Sequence, residues 1–185
     1  MVNRCKWCEK ITDEEYLKYH DDEWSGEPLQ SDRDLFELLC LEGAQSGLSW
    51  KTILKKRLKY KEVYSNFNIV SCADMTQKDL DRILDSGSVV RHKGKIKSVV
   101  VNATASKLIV QEFGSLFKYF EHMLEGVDCS SLQISQVPVS EASTKISKDL
   151  KKRGFAFVGP TTVQAFLQAS GLFRAHDSHC FKFIG

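Results

Sequence analysis

An all-α fold is predicted by three features of the sequence. Polar caps stand just before apolar stripes of helical period, glycines stand just after them, and no set of segments shows the two-residue alternation of strands. The first helix opens at "TDEE", where Thr12 and Glu15 have the spacing of a capping box. A helix over 13–20 then puts Tyr16, Tyr19 and His20 on one face, at i, i+3 and i+4. "SDRDLFELLCLEG" predicts a second helix, capped by Ser31, with Leu35, Leu38 and Leu39 as its buried stripe and Gly43 as its stop. "TQKDLDRILDSG" repeats that design from Thr76 to Gly87. In "GKIKSVVVNATASKLIV", Ile96, Val99, Val100, Ala103 and Leu108 share a helical face; the β-branched content also suits a strand, and helix is the preferred reading. A further helix is predicted over 113–125, followed by a connecting loop, "CSSLQISQVPVSEAST", with small polar residues and Pro138. "TKISKDLKKRG" and "PTTVQAFLQASG" return the chain to helix.

The 185 residues suffice for one substantial core, and a single compact unit is expected. With 42% hydrophobic and 27% charged residues and only 3 prolines, the composition excludes a disordered or fibrous chain. No apolar run approaches the roughly 20 residues of a membrane span, and "MVNRCKWCEK" lacks the apolar segment of a secretory signal. A cytoplasmic protein with no membrane partner is expected, in which six scattered cysteines are thiols or metal ligands and not disulfide staples. The Asn-x-Thr match at Asn102 then carries no meaning as a glycosylation signal.

The net charge is only +2, but its distribution is uneven. Residues 9–24 hold seven acids against two lysines, whereas 51–61 has six basic residues and no acid, 91–97 has four and none, and 145–153 has five against one. Three basic segments suit convergence on one polyanion; on charge alone, solvated helix faces are the favoured reading.

Glu42 lies seven positions after Leu35 and extends its apolar stripe. Either it is buried, and then needs donors or a cationic ligand, or the helix frays at Gly43 and lets it reach water. Trp7, Tyr16, Tyr19 and Trp24 concentrate aromatic rings near the start of the chain, with Trp50 closing the turn "AQSGLSW". Such rings line pockets for flat ligands, although aromatic stripes are more often core. His20 with "HDSHC" (His176, His179, Cys180) and with Cys5 and Cys8 suits a tetrahedral site drawn from two distant segments, but neither half has a standard zinc-finger spacing. In "KKRGFAFVGPTTVQAFLQASGL" (151–172) a helix ends, a short apolar turn holds Gly154 and Gly159, and a new helix opens near Thr161, directly after Lys151, Lys152 and Arg153. That pattern suits a helix-hairpin-helix phosphate clamp, and an ordinary helical corner shares most of it.

"RCKWC", "YHDDEW", "LFELLCLEGAQSGLSW", "RHKGKI", "KKRGFAFVG" and the closing His and Cys resemble, in order and separation, the 3-methyladenine DNA glycosylase I family, over roughly residues 4–180. The resemblance implies an all-α helix-hairpin-helix DNA glycosylase that excises 3-methyladenine from double-stranded alkylated DNA by base flipping, with free 3-methyladenine as product. It also implies one structural zinc per chain that joins the N- and C-termini. Matched residue by residue, it implies zinc ligands Cys5, His20, His176 and Cys180, a base-recognising carboxylate at Glu42 beside Tyr19, stacking by Trp50, and an aromatic wall completed by Tyr16 and Trp7. Lys151, Lys152, Arg153, Gly154 and Gly159 would contact DNA. The expected organisation is one unit, 1–185, a monomer, with a helical lobe at about 25–140, zinc-stapled termini (1–24 and 141–185) and the hairpin at 151–172. Ala175 stands where the family pattern has Asp, with Asp177 after it, and the turn at 25–28 is one residue longer than usual. Cys8 and His179 remain competitors for zinc. No lysine stands out as a Schiff-base nucleophile, so a monofunctional enzyme is expected. The alternative is a lesion-sensing module that kept the fold without activity.

Overall fold

A computed structural model describes residues 2–131 and 136–183. Among them are ten α-helices, two short 3-10 turns (Lys6–Cys8 and Ser65–Phe67) and no strand. The helices are α1 (Glu14–Asp22), α2 (Asp32–Gln45), α3 (Trp50–Leu54), α4 (Arg57–Val63), α5 (Ile69–Ala73), α6 (Gln77–Ser86), α7 (Lys93–Phe113), α8 (Leu116–Met123), α9 (Glu141–Lys152) and α10 (Pro160–Ala169). The all-α expectation holds, and no described helix is long and apolar enough to cross a membrane.

Local chemistry explains most boundaries. Ser31 accepts from the Asp34 amide at the start of α2, and Thr76 and Asp79 form a full capping box on α6, which Gly87 ends in the left-handed region at φ 62°. Four boundaries differ from the sequence expectation. The cap of α1 is Asp13, not Thr12: its carboxylate accepts from the Tyr16 amide and pairs with Lys51 at 2.8 Å. Gly43 does not stop α2, which runs two residues further, and its missing side chain lets Phe157 of another segment pack against the helix. The predicted 113–125 helix is split at Gly114 (φ 88°), after which Ser115 caps α8 afresh. The loop before α9 ends at Ser140, whose own capping box with Ser143 draws 141–144 into the helix; residues 132–135 of that loop lie outside the described residues.

α2 is the axis of the fold. Every residue from Leu35 to Ala44 is buried, with α7, α8, α10 and α3 packed around it. α7 also carries α5 and α6, and α9 pairs with α10. One contiguous apolar core runs from Tyr19 to Phe173 and includes the fully buried rings of Phe36, Tyr64, Tyr119, Phe120 and Phe166. Burial on all sides matters for the site, because it brings two carboxylates of α2 into the interior.

Candidate active site and metal cluster

The two buried acids of α2 have opposite surroundings. Glu37 is 1% exposed and is held by Arg33 at 2.9 Å, Arg57 at 2.7 Å and Lys61 at 3.3 Å. Glu42, at 5% exposed, receives no hydrogen bond from any described residue, and desolvation alone pushes its carboxyl from an ordinary 4.5 up to about 8. Glu37 is a structural ion cluster. Glu42 has no such compensation among the described residues.

Glu42 faces a cavity of about 270 Å³ lined by Trp7, Tyr16, Tyr19, Trp24, Gln45, Trp50, Ala165 and Gln168. α1 presents Tyr16 and Tyr19 one turn apart, and Ser49 caps α3 so that Trp50 is its first residue. Tyr19 and Trp50 meet at 5.2 Å, Tyr16 and Tyr19 at 6.4 Å, and Trp7 and Tyr16 at 5.5 Å, which makes a continuous aromatic wall. Burial holds the phenols of Tyr16 and Tyr19 protonated: the first is pushed up to about 12 and the second well above its ordinary value. The indole N–H of Trp50 is buried and finds no protein acceptor among the described residues. No lysine is among the described residues that line the cavity. A larger, more open groove of about 780 Å³ lies along α9 between Met123 and Lys152. Its lining holds no aromatic ring and no buried acid, in contrast to the smaller cavity.

Directly behind the wall, Cys5, His20, His176 and Cys180 are all buried, and their ligand atoms lie within 4.8 Å of one another. Cys5 Sγ is 3.4 Å from His176 Nδ1, Cys180 Sγ is 3.6 Å from the same nitrogen, and Cys180 Sγ is 3.7 Å from His20 Nε2. These separations match the roughly 3.3–3.8 Å edges of a tetrahedron built with zinc–nitrogen and zinc–sulfur bonds. The other ring nitrogen of His20 lies 2.8 Å from Asp21, and Arg4 grips that carboxylate at 2.8 and 2.7 Å and holds it down at about 2. Burial and the neighbouring His20 hold His176 down at about 4, the neutral form that a metal requires. The quartet could thus hold a metal ion. Its competitors are elsewhere: Cys8 is buried outside the cluster, and His179 is exposed, 4.0 Å from Asp177.

The cluster and the cavity share walls. Trp7 lies 5.3 Å from His20 and 5.1 Å from Trp24, and Trp24 in turn lies 5.0 Å from His176. Trp24, just ahead of the 25–28 turn, lines the cavity. Asp177 ties the termini together, accepting from the Lys6 amide at 2.6 Å and from Gln136 at 2.7 Å, and lies outside the cavity lining.

The 153–159 turn joins α9 to α10. Gly154, at φ 95°, ends α9 in a Schellman motif, with the Phe155 amide donating to Leu150 O and the Gly154 amide to Lys151 O. Gly159 is the N-cap of α10 and leaves its first amides without a side-chain cap. Lys151 and Lys152 are exposed. Arg153 departs from expectation: its guanidinium pairs with Asp149 and Glu112, each at 2.6 Å, and covers the rings of Phe113 and Tyr119, so its charge is spent inside the protein. Four of the six basic residues of the 51–61 segment are also paired, Lys51 with Asp13, Arg57 with Glu37 and Glu23, Lys59 with Glu62 and Lys61 with Glu37, whereas Lys55 and Lys56 have no acidic partner within ion-pair distance among the described residues. Trp24 was among the rings that suit a pocket and does line the cavity, whereas sequence reasoning did not place Gln45, Ala165 or Gln168 there; Ala165 and Gln168 had a signal in their i, i+3 spacing on α10.

A family model for methyladenine glycosylase matches residues 7–183. The Escherichia coli K12 DNA-3-methyladenine glycosylase 1 is 39% identical over 190 residues, spanning 100% of this chain and 98% of its own length. The chain belongs to the methyladenine glycosylase family. Its Haemophilus influenzae relative, a DNA-3-methyladenine glycosylase, is 40% identical over 97% of both proteins. A solved structure of 3-methyladenine DNA glycosylase I from Staphylococcus aureus, on 3-methyladenine recognition, superposes with a TM-score of 0.89 at 37% identity, covering 100% of this chain and 98% of that one. A tyrosine-to-phenylalanine variant of 3-methyladenine DNA glycosylase I, in complex with 3-methyladenine, gives 0.89 at 36% identity, covering 100% and 99%. The methyladenine glycosylase fold of this chain therefore takes in both termini as well as the helical body.

Proposed function

We propose that this chain is a monofunctional DNA repair enzyme that excises 3-methyladenine from alkylated duplex DNA. The observation that carries the reading is Glu42, a buried carboxylate with no partner among the described residues, at the edge of an aromatic cavity sized for one purine. A 3-methyladenine still attached to deoxyribose is cationic, so its glycosidic bond is already weak and modest assistance suffices. The enzyme extrudes the nucleotide at a cost of a few kcal/mol and recovers it by stacking and edge hydrogen bonds. Trp50 offers a cation–π face, and Glu42 in its ionised form pairs with the cationic base, a contact that neutral adenine does not match. As the bond from N9 to C1′ breaks, its electron pair passes to the base, which leaves neutral; water adds to C1′ and its proton goes to solvent. Near neutral pH Glu42 then regains a proton, which favours release of the product. Tyr19 orients the carboxylate side of the cavity, and Tyr16 and Trp7 close the aromatic wall. The complete pocket argues against a lesion-sensing module without activity.

Lys151, Lys152 and the backbone from Gly154 to Gly159 contact the phosphates, with the uncapped amides of α10 as anion donors. Zinc held by Cys5, His20, His176 and Cys180 would act as a cross-link between the termini and supply no chemistry to bond cleavage. Through Trp7 and Trp24 that cross-link holds the pocket wall. The chain acts as a single-unit monomer in a reducing cytoplasm, where thiolate ligands persist.

Chromatography of bases released from methylated DNA tests the reading. Free 3-methyladenine with little 7-methylguanine is expected, and borohydride should trap no protein–DNA adduct because no lysine is among the described residues that line the cavity. A reversed base preference refutes the proposed pocket, and an adduct refutes the monofunctional assignment.

A further inference from the structure

Asn102 lies in the middle of α7, is 2% exposed, and takes no part in the cavity or the metal cluster. Its carboxamide engages both polar groups of one residue in the 153–159 turn. Nδ2 donates to Ala156 O at 3.1 Å, and Oδ1 accepts from the Ala156 amide at 2.8 Å. A side-chain amide thereby does for one turn residue what a neighbouring strand does in a sheet. The following residue, Phe157, sits at φ 57°, a left-handed conformation unfavourable for any residue with a β-carbon. It is held there from two sides. A β-carbon on Gly43 would stand 3.2 Å from both Cβ and O of Phe157, and the Phe157 ring meets His92 edge-on at 5.9 Å. Ser147 then donates to Val158 O at 2.6 Å. Three consecutive turn residues are thus clamped by α7, α2 and α9 in sequence, and the α2 contact is the residue next to Glu42.

We propose that Asn102 is a positioning residue for DNA, fixing the phosphate-contacting turn at a set height above the base cavity so that a gripped duplex delivers its flipped nucleotide to Glu42. This rests on the reading that the turn holds the DNA backbone. Removal of the clamp lets the Ala156 peptide rotate and the strained Phe157 relax, which moves the turn's amides and the adjoining Lys151 and Lys152 relative to the cavity without changing the cavity itself.

Asn102→Leu keeps the size and removes both hydrogen bonds, and Asn102→Asp keeps the acceptor and removes the donor. Each is compared with wild type, and with a Lys151→Ala/Lys152→Ala control, for affinity toward an alkylated duplex, affinity toward free 3-methyladenine, and excision rate at saturating enzyme. For folded Asn102→Leu, duplex affinity near 0.1 M salt should fall on the order of tenfold, as expected for about one lost phosphate contact. Its salt slope should become shallower by about one phosphate contact. Free-base affinity should stay within twofold, and the rate at saturation should return to the wild-type value. Should the leucine variant not fold, the aspartate variant is read against the same thresholds. If the lysine control weakens duplex binding while a folded Asn102 variant binds duplex within twofold of wild type, the proposal is overturned and the DNA-binding reading stands. Equal loss of duplex and free-base affinity also overturns it, since that marks general destabilisation. If the lysine control itself leaves duplex binding unchanged, the turn is not the DNA contact and both fall together.

Discussion

Replacing Glu42 with Gln should stabilise the protein, by an amount that grows with pH. Burial raises the folded-state titration of this carboxyl from 4.5 to about 8, so the folded chain keeps the proton where the unfolded chain has lost it. The sign follows directly. Below pH 4.5 both states are protonated and Glu42 costs nothing; between 4.5 and 8 the unfolded state alone gains by ionising; above 8 the penalty is constant. Each pH unit in that interval is worth about 1.4 kcal/mol, so the wild type should trail the glutamine variant by about 1 kcal/mol at pH 5, about 3 at pH 7 and up to about 5 at pH 9. Water entering the cavity makes these upper values. For a chain of this size, the pH 7 gap corresponds to a melting-point difference of roughly 6–12 °C. Urea unfolding of both proteins at the three pH values measures it. Contributions common to both proteins cancel from the difference. A gap that is the same at pH 5 and pH 9 refutes the reasoning, because it means that Glu42 is ionised in the free protein and has a partner or ready access to water.

The same variant should lose affinity for free 3-methyladenine and most of its excision activity, and in the wild type kcat/KM on alkylated duplex should rise with pH up to about 8 as the carboxylate ionises. A flat profile between pH 6 and 8 would remove Glu42 from base recognition. Trp50→Ala removes the stacking face and should weaken free-base binding on the order of tenfold, as read by equilibrium dialysis. Arg153→Ala, which breaks the pairs with Asp149 and Glu112, should lower the melting temperature yet leave the salt slope of duplex binding unchanged, whereas the Lys151→Ala/Lys152→Ala double variant should reduce that slope by about two. Elemental analysis should find near one zinc per chain in the wild type and less in Cys180→Ser. That variant should also bind the free base more weakly, through the loosened Trp7 and Trp24.

Legibility in the sequence varied with the range of the interaction. Caps and stops that depend on three or four neighbouring residues were readable to within a residue, as at Ser31, Thr76 and Gly87. They failed where a distant contact intervened. Gly43 looks like a stop in isolation and is instead a seat for Phe157, over a hundred positions away in the chain. Arg153 has the sequence context of a phosphate contact, but Glu112, from a distant part of the chain, joins the neighbouring Asp149 in pairing with it. Asn102 matched a modification signal of no consequence, and its bonds to Ala156 leave no trace in any local pattern.

By itself, the sequence determined that the chain is helical, where most of the helices begin, and which aromatic, acidic, cysteine and histidine residues were available for a site. These follow from side-chain period and from caps, which are local properties of the backbone. The tertiary structure alone decided how two acids of one buried helix diverge. Periodicity puts Glu42 on the apolar stripe and Glu37 off it, yet packing on all sides of α2 buries both, and it brings Arg57 and Lys61 to join the neighbouring Arg33 on Glu37 while no described cation reaches Glu42. It also gathered Cys5 and Cys180 with His20 and His176 while leaving Cys8 and His179 apart. In both cases the deciding quantity is the distance between groups far apart in the chain, and this sets whether a buried charge is compensated or left ready for a ligand.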